Sequence, residues 1–242
     1  MASISNNSQK QQQYKALVNT FKRQHFSDPQ LLNPFHIKDV KYDYEVLNPW
    51  NLWHGNIDAD ILLIGQDWGD LEYFKKNFST NWEQEKNSTT NKNLQKLFSC
   101  LGCDIGLPDS TNHSQYFKRL PLYFTNAVLG IKSGGMAAPI KNNWFDEMGI
   151  YLIGLINIIQ PKTIIVMGKI AYDLLQLAYD LPTYKNAEET ISNNGNHPLI
   201  NGANLFSVAH CSGLGLVNRS MDLQRKDWLK INDLMTGNSY NL

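Results

Sequence analysis

Residues 61–69 read Ile-Leu-Leu-Ile-Gly-Gln-Asp-Trp-Gly, and the fold turns on how they are read. Four consecutive aliphatic residues with no polar alternation suit a strand buried on both faces, as in a parallel sheet. The run stops at Gly65 and delivers Gln66 and Asp67 at its carboxyl end, where open α/β sheets build their sites. Two later runs repeat the design: Leu-Tyr-Phe-Thr-Asn-Ala-Val at 122–128 carries Asn126, and Leu-Phe-Ser-Val-Ala-His at 205–210 ends on His210. A carboxylate, an amide and an imidazole are therefore expected on a single edge.

A fourth apolar run, 163–167, has the same character, and helical patterns fall between the runs at 91–101, 144–159 and 169–179. Strand alternating with helix predicts an α/β domain with right-handed crossovers. Upstream, residues 1–10 read as disordered, and 11–26 read as a helix presenting Tyr14, Leu17, Val18 and Phe21 on one face. This divides the chain into an N-terminal extension and helix, 1–26, and an α/β domain, 27–242. Residues 27–55, rich in Pro, Asn and aromatics, read as irregular chain packed over the core, and the polar stretches 76–92 and 183–202 read as loops.

The chain has 242 residues with 22 acidic and 22 basic side chains, so no global positive field draws in nucleic acid. Any DNA contact must come from a local patch such as Lys75, Lys76, Lys92, Lys96, Lys118, Arg119, Lys132 and Arg219. Three cysteines exclude a full intramolecular disulfide framework. Cys100 and Cys103 have metal-ligand spacing, but no second pair completes a site, so neither metal nor cofactor is expected. The N-terminus lacks the apolar segment of a signal peptide and no run approaches a membrane span. A soluble intracellular protein is expected, cytoplasmic or, in a eukaryote, nuclear.

Gly65-Gln66-Asp67-Trp68-Gly69 and His210-Cys211-Ser212-Gly213-Leu214 resemble the first and last motifs of the uracil-DNA glycosylase superfamily, Gly-Gln-Asp-Pro-Tyr and His-Pro-Ser-Pro-Leu in its best-known branch. Asn93 to Phe98 with Leu101-Gly102, Tyr123 to Val128, and Gln160 to Gly168 are similar to that superfamily's iron–sulfur branch. The four cysteines of that branch are missing. The resemblance covers about residues 48–232, in the family's order. It implies a three-layer α/β/α fold with a four-stranded parallel sheet. The implied protein is a monofunctional, monomeric, base-excision DNA-repair hydrolase acting on deoxyuridine in DNA, or on another deaminated or mismatched base; a non-catalytic nucleic-acid-binding relative is the alternative from another class.

Breaking the bond between deoxyribose and uracil builds positive charge on the sugar and negative charge on the base. The catalyst needs an anion near the first and a hydrogen-bond donor at the second. Under the resemblance, Asp67 is the anion that holds the attacking water, and His210, most useful when neutral, donates to uracil O2. Asn126 offers an acceptor and a donor that match uracil N3–H and O4 and mismatch cytosine. Gln66 bonds the base, and Tyr73, Phe74 or Phe78 stacks on it. A flipped nucleotide leaves a gap in the duplex, for which Leu214, with Leu216 as its rival, is the wedge. Ser212, Lys132 and Arg219 complete the expected DNA contacts. Cys211 and Gly213 replace two prolines, which loosens the final loop, and Gly69 replaces the Tyr that excludes the thymine methyl.

Overall fold

The structure, a computed structural model, describes residues 2–40, 42, 44–78, 85, 87–108 and 121–237. Its centre is a parallel sheet of β2 (Ile61–Gly65), β3 (Leu122–Asn126), β5 (Thr163–Met167) and β6 (Asn204–Val208), in the spatial order β3-β2-β5-β6. A ladder of two residues per strand, β1 (Leu31–Leu32) against β4 (Ile131–Lys132), stands apart from it. Helices α1 (Ala2–Arg23), α2 (Leu71–Phe78), α3 (Thr89–Phe98), α4 (Asn142–Ile159), α5 (Lys169–Tyr179), α6 (Ala187–Ser192), α7 (Gly213–Asn218) and α8 (Met221–Thr236) fill the intervals.

The sheet is covered on both faces because its strands are apolar at every position, and the period of two sorts their side chains. Leu62, Ile64, Tyr123, Ile164, Val166 and Leu205 pack with Val18 and Phe21 of α1, Leu152 and Leu155 of α4, and Tyr172 and Leu175 of α5. Ile61, Leu63, Leu122, Phe124, Ile165, Met167, Phe206 and Val208 face the other way, onto Leu94, Leu97 and Phe98 of α3 and Trp228 and Ile231 of α8. The result is a helix layer on each side of a four-stranded parallel sheet.

From β2 the chain winds outward to β3, then crosses back over β2 to reach β5. This reversal opens a crevice at the carboxyl ends of β2 and β5, the place where such sheets hold ligands. The expected strands lie within a residue or two of the observed ones. The N-terminus differs: residues 1–10 were expected to be irregular, yet α1 begins at Ala2. Val18 and Phe21 are 0% exposed, and the Tyr14 and Tyr123 hydroxyls both reach Asn51 Oδ1, at 3.3 and 2.9 Å. Val18 and Phe21, with Tyr14, Leu17 and Phe26 packed against them, therefore share the hydrophobic core of the sheet. The stretch 183–202, expected as a loop, contains α6, whose first turn is capped by Asn186 accepting from the Glu189 N–H at 2.9 Å.

Among the described residues no helix is long and apolar enough to cross a membrane.

Candidate active site

Strand periodicity assembles the site. Ile61 and Leu63, Leu122 and Phe124, and Phe206 and Val208 all face α3 and α8, so two residues further along each strand the same face receives Gly65, Asn126 and His210. Gly65 and Asn126 are register partners, and beyond the strands Ala127 N–H and Val128 N–H continue the pairing onto Gly65 O and Gln66 O at 2.8 and 2.9 Å. Gly65 has no freedom to carry a side chain. A Cβ there would collide with Asn126 Oδ1 and would stand 2.9 Å from the Trp50 ring. Asn126 is 0% exposed, and neither Oδ1 nor Nδ2 has a hydrogen-bond partner among the described residues. An unsatisfied buried amide costs free energy, which a ligand offering a matching N–H and C=O would recover.

After β2 the chain turns through Gly69, whose φ of +110° is a region side chains rarely adopt. Two acidic residues flank this turn and divide the work. Asp70 caps α2, accepting the Tyr73 N–H at 2.8 Å. Asp67 is thereby left out of the cap. Its Oδ2 lies 3.0 Å from the Lys132 ammonium, and its Oδ1 accepts from Gln66 Nε2 at 3.3 Å. The Asp67 side chain is 13% exposed, so its charge acts in a poorly screened environment.

On the opposite side, His210 sits half-buried beyond β6. Gly168, with φ of +95°, ends β5 beneath it; a Cβ there would lie 3.6 Å from His210 Cβ. Burial pushes the imidazole pKa below its ordinary value, while the negative charge of Asp67 opposes that shift. The Ser212 N–H donates to His210 Nδ1 at 3.1 Å. A neutral ring accepting at Nδ1 carries its proton on Nε2, so Nε2 is a donor.

The segment after His210 is pinned at its base and open at its tip. Cys211 is 0% exposed, its thiol beside Thr90 O and Met167 Sδ, each at 3.5 Å, and its carbonyl accepts from Asn93 Nδ2 at 2.8 Å. Burial raises the Cys211 pKa to about 12, so the thiol stays protonated. Ser212 caps α7, accepting from the Gly215 N–H at 3.2 Å. A Cβ on Gly215 would strike His210 O, which ties this turn closely to the histidine. Leu214 and Val217 are 75% and 80% exposed.

Asp67, Gln66, Asn126 and His210 thus share one strand edge, with Ser212 and Leu214 on the segment beside it. Three of the expected residues are placed differently from a free surface or stacking position. Lys132, expected on the DNA-facing surface, is 4% exposed because its amine is drawn inward by Asp67. Phe74, expected to stack on a base, is 0% exposed because that face of α2 packs into the core. Arg219, expected to face phosphate, is held by Asp227 through Nε at 2.5 Å and a second nitrogen at 2.7 Å. The side chain of Phe78, and all of Lys118 and Arg119, lie outside the described residues. Tyr73 flanks Gly69, and its hydroxyl donates to Glu85 Oε1 at 2.5 Å. Trp50 was missed: it approaches Gly65 and crosses Trp68 edge-to-face at 5.6 Å. Only its place in an aromatic-rich segment could have signalled it.

A cavity of about 390 Å³ lined by Phe26, Leu31, Leu32, Ile37 and Leu71 among others includes none of these groups in its lining. What distinguishes the strand edge is the chemistry of its buried polar atoms and not open volume. The Cys100 and Cys103 thiols point to Lys96 O and Leu101 O at 3.8 and 3.7 Å, as helix-end residues do. No family model and no curated protein matches this chain.

Proposed function

We propose that this protein is a DNA glycosylase that hydrolyses the N-glycosidic bond of deoxyuridine, working as a monomer on a uracil-DNA glycosylase-like fold. The observation that carries the reading is Asn126, a fully buried amide with a donor and an acceptor both unpaired among the described residues. Uracil presents the complementary pair, N3–H and O4, and burial makes the penalty for a mismatched edge large. The bond from C1′ to N1 breaks with its electrons leaving on the base. His210 Nε2–H donates to O2 as negative charge grows there, and Asp67 faces the positive charge on the sugar and holds the water that attacks C1′. Gln66 both bonds the base and steadies Asp67.

Leu214 enters the space left by the flipped nucleotide, and its exposure on α7 suits that task. Ser212 keeps the turn in shape by accepting the Gly215 N–H at Oγ, which leaves its O–H as the donor for a phosphate contact. The expected setting is the cytoplasm, or the nucleus in a eukaryote.

The test is single-turnover cleavage of a single strand containing one uracil, read as abasic sites, beside an otherwise identical strand containing hypoxanthine. Asp67→Asn keeps the shape and removes the anion, so cleavage falls by roughly two to three orders of magnitude while DNA binding is retained. Wild-type protein that leaves no abasic site on either strand, or Asp67→Asn that cleaves at the wild-type rate, overturns the reading.

A further inference from the structure

We propose that Lys132 is the positioning residue of the Asp67 carboxylate and ties it to the loop 133–138; the proposal rests on Asp67 being the anion of the site. Lysine ordinarily keeps its ammonium in water by extending along the surface. Lys132 is instead 4% exposed, and a buried ammonium is tolerated only when paired and fully hydrogen-bonded. An ammonium has three N–H donors and no acceptor. Here Met136 O at 2.8 Å and Ala138 O at 3.3 Å accept from it, and Asp67 Oδ2, 3.0 Å away, is its ion-pair partner.

The backbone of Lys132 is fixed independently of its side chain. It pairs with Leu31 in the β1–β4 ladder and bridges to Asp70, the cap of α2. The ammonium therefore projects from an anchored point toward Asp67, whose other oxygen is taken by Gln66. Held from both sides, the carboxylate cannot rotate without breaking one of these contacts. An anion preorganised in this way stabilises developing positive charge without reorganising, and small displacements of such a group are expensive in rate.

The two carbonyls extend this control to the surface. Met136 is 59% exposed, and its Sδ stands 3.2 Å from where a Cβ on Gly69 would be, so the loop lies over the turn that carries Asp67. A contact that displaces this loop displaces the ammonium, and with it the carboxylate.

Lys132→Met and Lys132→Arg are to be compared in single-turnover cleavage and in affinity for uracil-free single-stranded DNA. Removing the partner of a working group typically costs about 10- to 100-fold. The expected result is a loss of that size in the rate constant for Lys132→Met, with DNA affinity within about threefold of wild type, and recovery of most of the rate in Lys132→Arg. A wild-type rate in Lys132→Met, or a loss confined to affinity, overturns the proposal. Should Lys132→Met not fold, Asp67→Ala carries the test without any need for activity. Hydrogen exchange at the ¹⁵N-labelled Lys132 ammonium should accelerate by about tenfold or more, and the Gly134 and Gly135 amide signals should shift with it. If neither changes, Lys132 does not serve Asp67. Because that measurement needs no substrate, it separates failure of this proposal from failure of the glycosylase reading.

Discussion

Asn126 and Lys132, on the β3 side of the edge, are 0% and 4% exposed, whereas Leu214 and Val217, on the β6 side, are 75% and 80% exposed. The first side is closed: Gly65 admits no Cβ, Asp67 is held by Lys132 and Gln66, and backbone pairing continues past the strand ends. The second is fixed only at its root, through buried Cys211 and the capped start of α7. A group that must discriminate between bases has to be rigid and dry, because only then does a mismatched hydrogen bond carry its full penalty. A group that must enter a base stack needs apolar surface and freedom to move. The two halves of the site differ in the way these two tasks require.

The sharpest contrast comes from adding one methyl group to each side. Gly65→Ala drives a Cβ into Asn126 Oδ1 and against Trp50, so stability falls by about 1–3 kcal/mol and uracil excision by roughly 10²- to 10³-fold. Gly213→Ala meets nothing within 4 Å, and the expected change in stability is under about 0.5 kcal/mol. Chemical denaturation with single-turnover cleavage measures both; equal effects at the two glycines would erase the distinction between the sides.

Leu214→Ala addresses the exposed side. A wedge matters only where a stack must be opened, so the loss should be larger on uracil paired in duplex than on the same uracil in a single strand, by roughly 1–3 kcal/mol. Equal losses on the two substrates would make Leu214 a packing residue and leave Leu216 as the candidate.

A smaller effect separates the histidines from the rest of the chain. Burial depresses the pKa of His210 and His197 and lowers that of His54 to about 3. The unfolded chain then binds protons that the native state does not, so stability is full above the unfolded value near 6.5 and is lost as pH falls below it, by up to about 1.4 kcal/mol per pH unit for each histidine. Denaturation midpoints from pH 7 to pH 4 measure this slope. Any inflection that His210 gives to the cleavage rate should lie below the ordinary imidazole pKa, because burial shifts the ring in that direction.

Much of this was legible in residues 61–69, 122–128 and 205–210. A period of two forces Gly65, Asn126 and His210 onto the face shared by Leu63, Phe124 and Val208 once the runs are strands. The role of Asp67 was harder to separate from that of a helix cap until Asp70 was seen to fill that role. Lys132 was expected as a DNA contact, and its pairing with Asp67 was not legible. Its backbone is set by pairing with Leu31, 101 residues away, and its partner by a turn 65 residues away, so no local pattern encodes either. Phe74 was misplaced for a related reason: α2 is short, and the side it turns inward is decided by what packs against it. The amphipathic α8, which contributes Trp228 and Ile231 to the core, lies after the last strand, where strand–helix alternation no longer guides the reading.

The central claim is that the Asn126 amide reads the base, and Asn126→Asp tests it most directly. A carboxylate accepts from the 4-amino group of cytosine and has nothing to donate to uracil O4, so the variant leaves uracil at a disadvantage of about 1–3 kcal/mol. Single-turnover excision measured on matched single strands, one with uracil and one with cytosine at the same position, should show uracil cleavage falling steeply while cytosine cleavage rises. An equal fall on both strands, accompanied by a drop in folding stability, would mean that Asn126 holds the end of β3 in place and reads nothing.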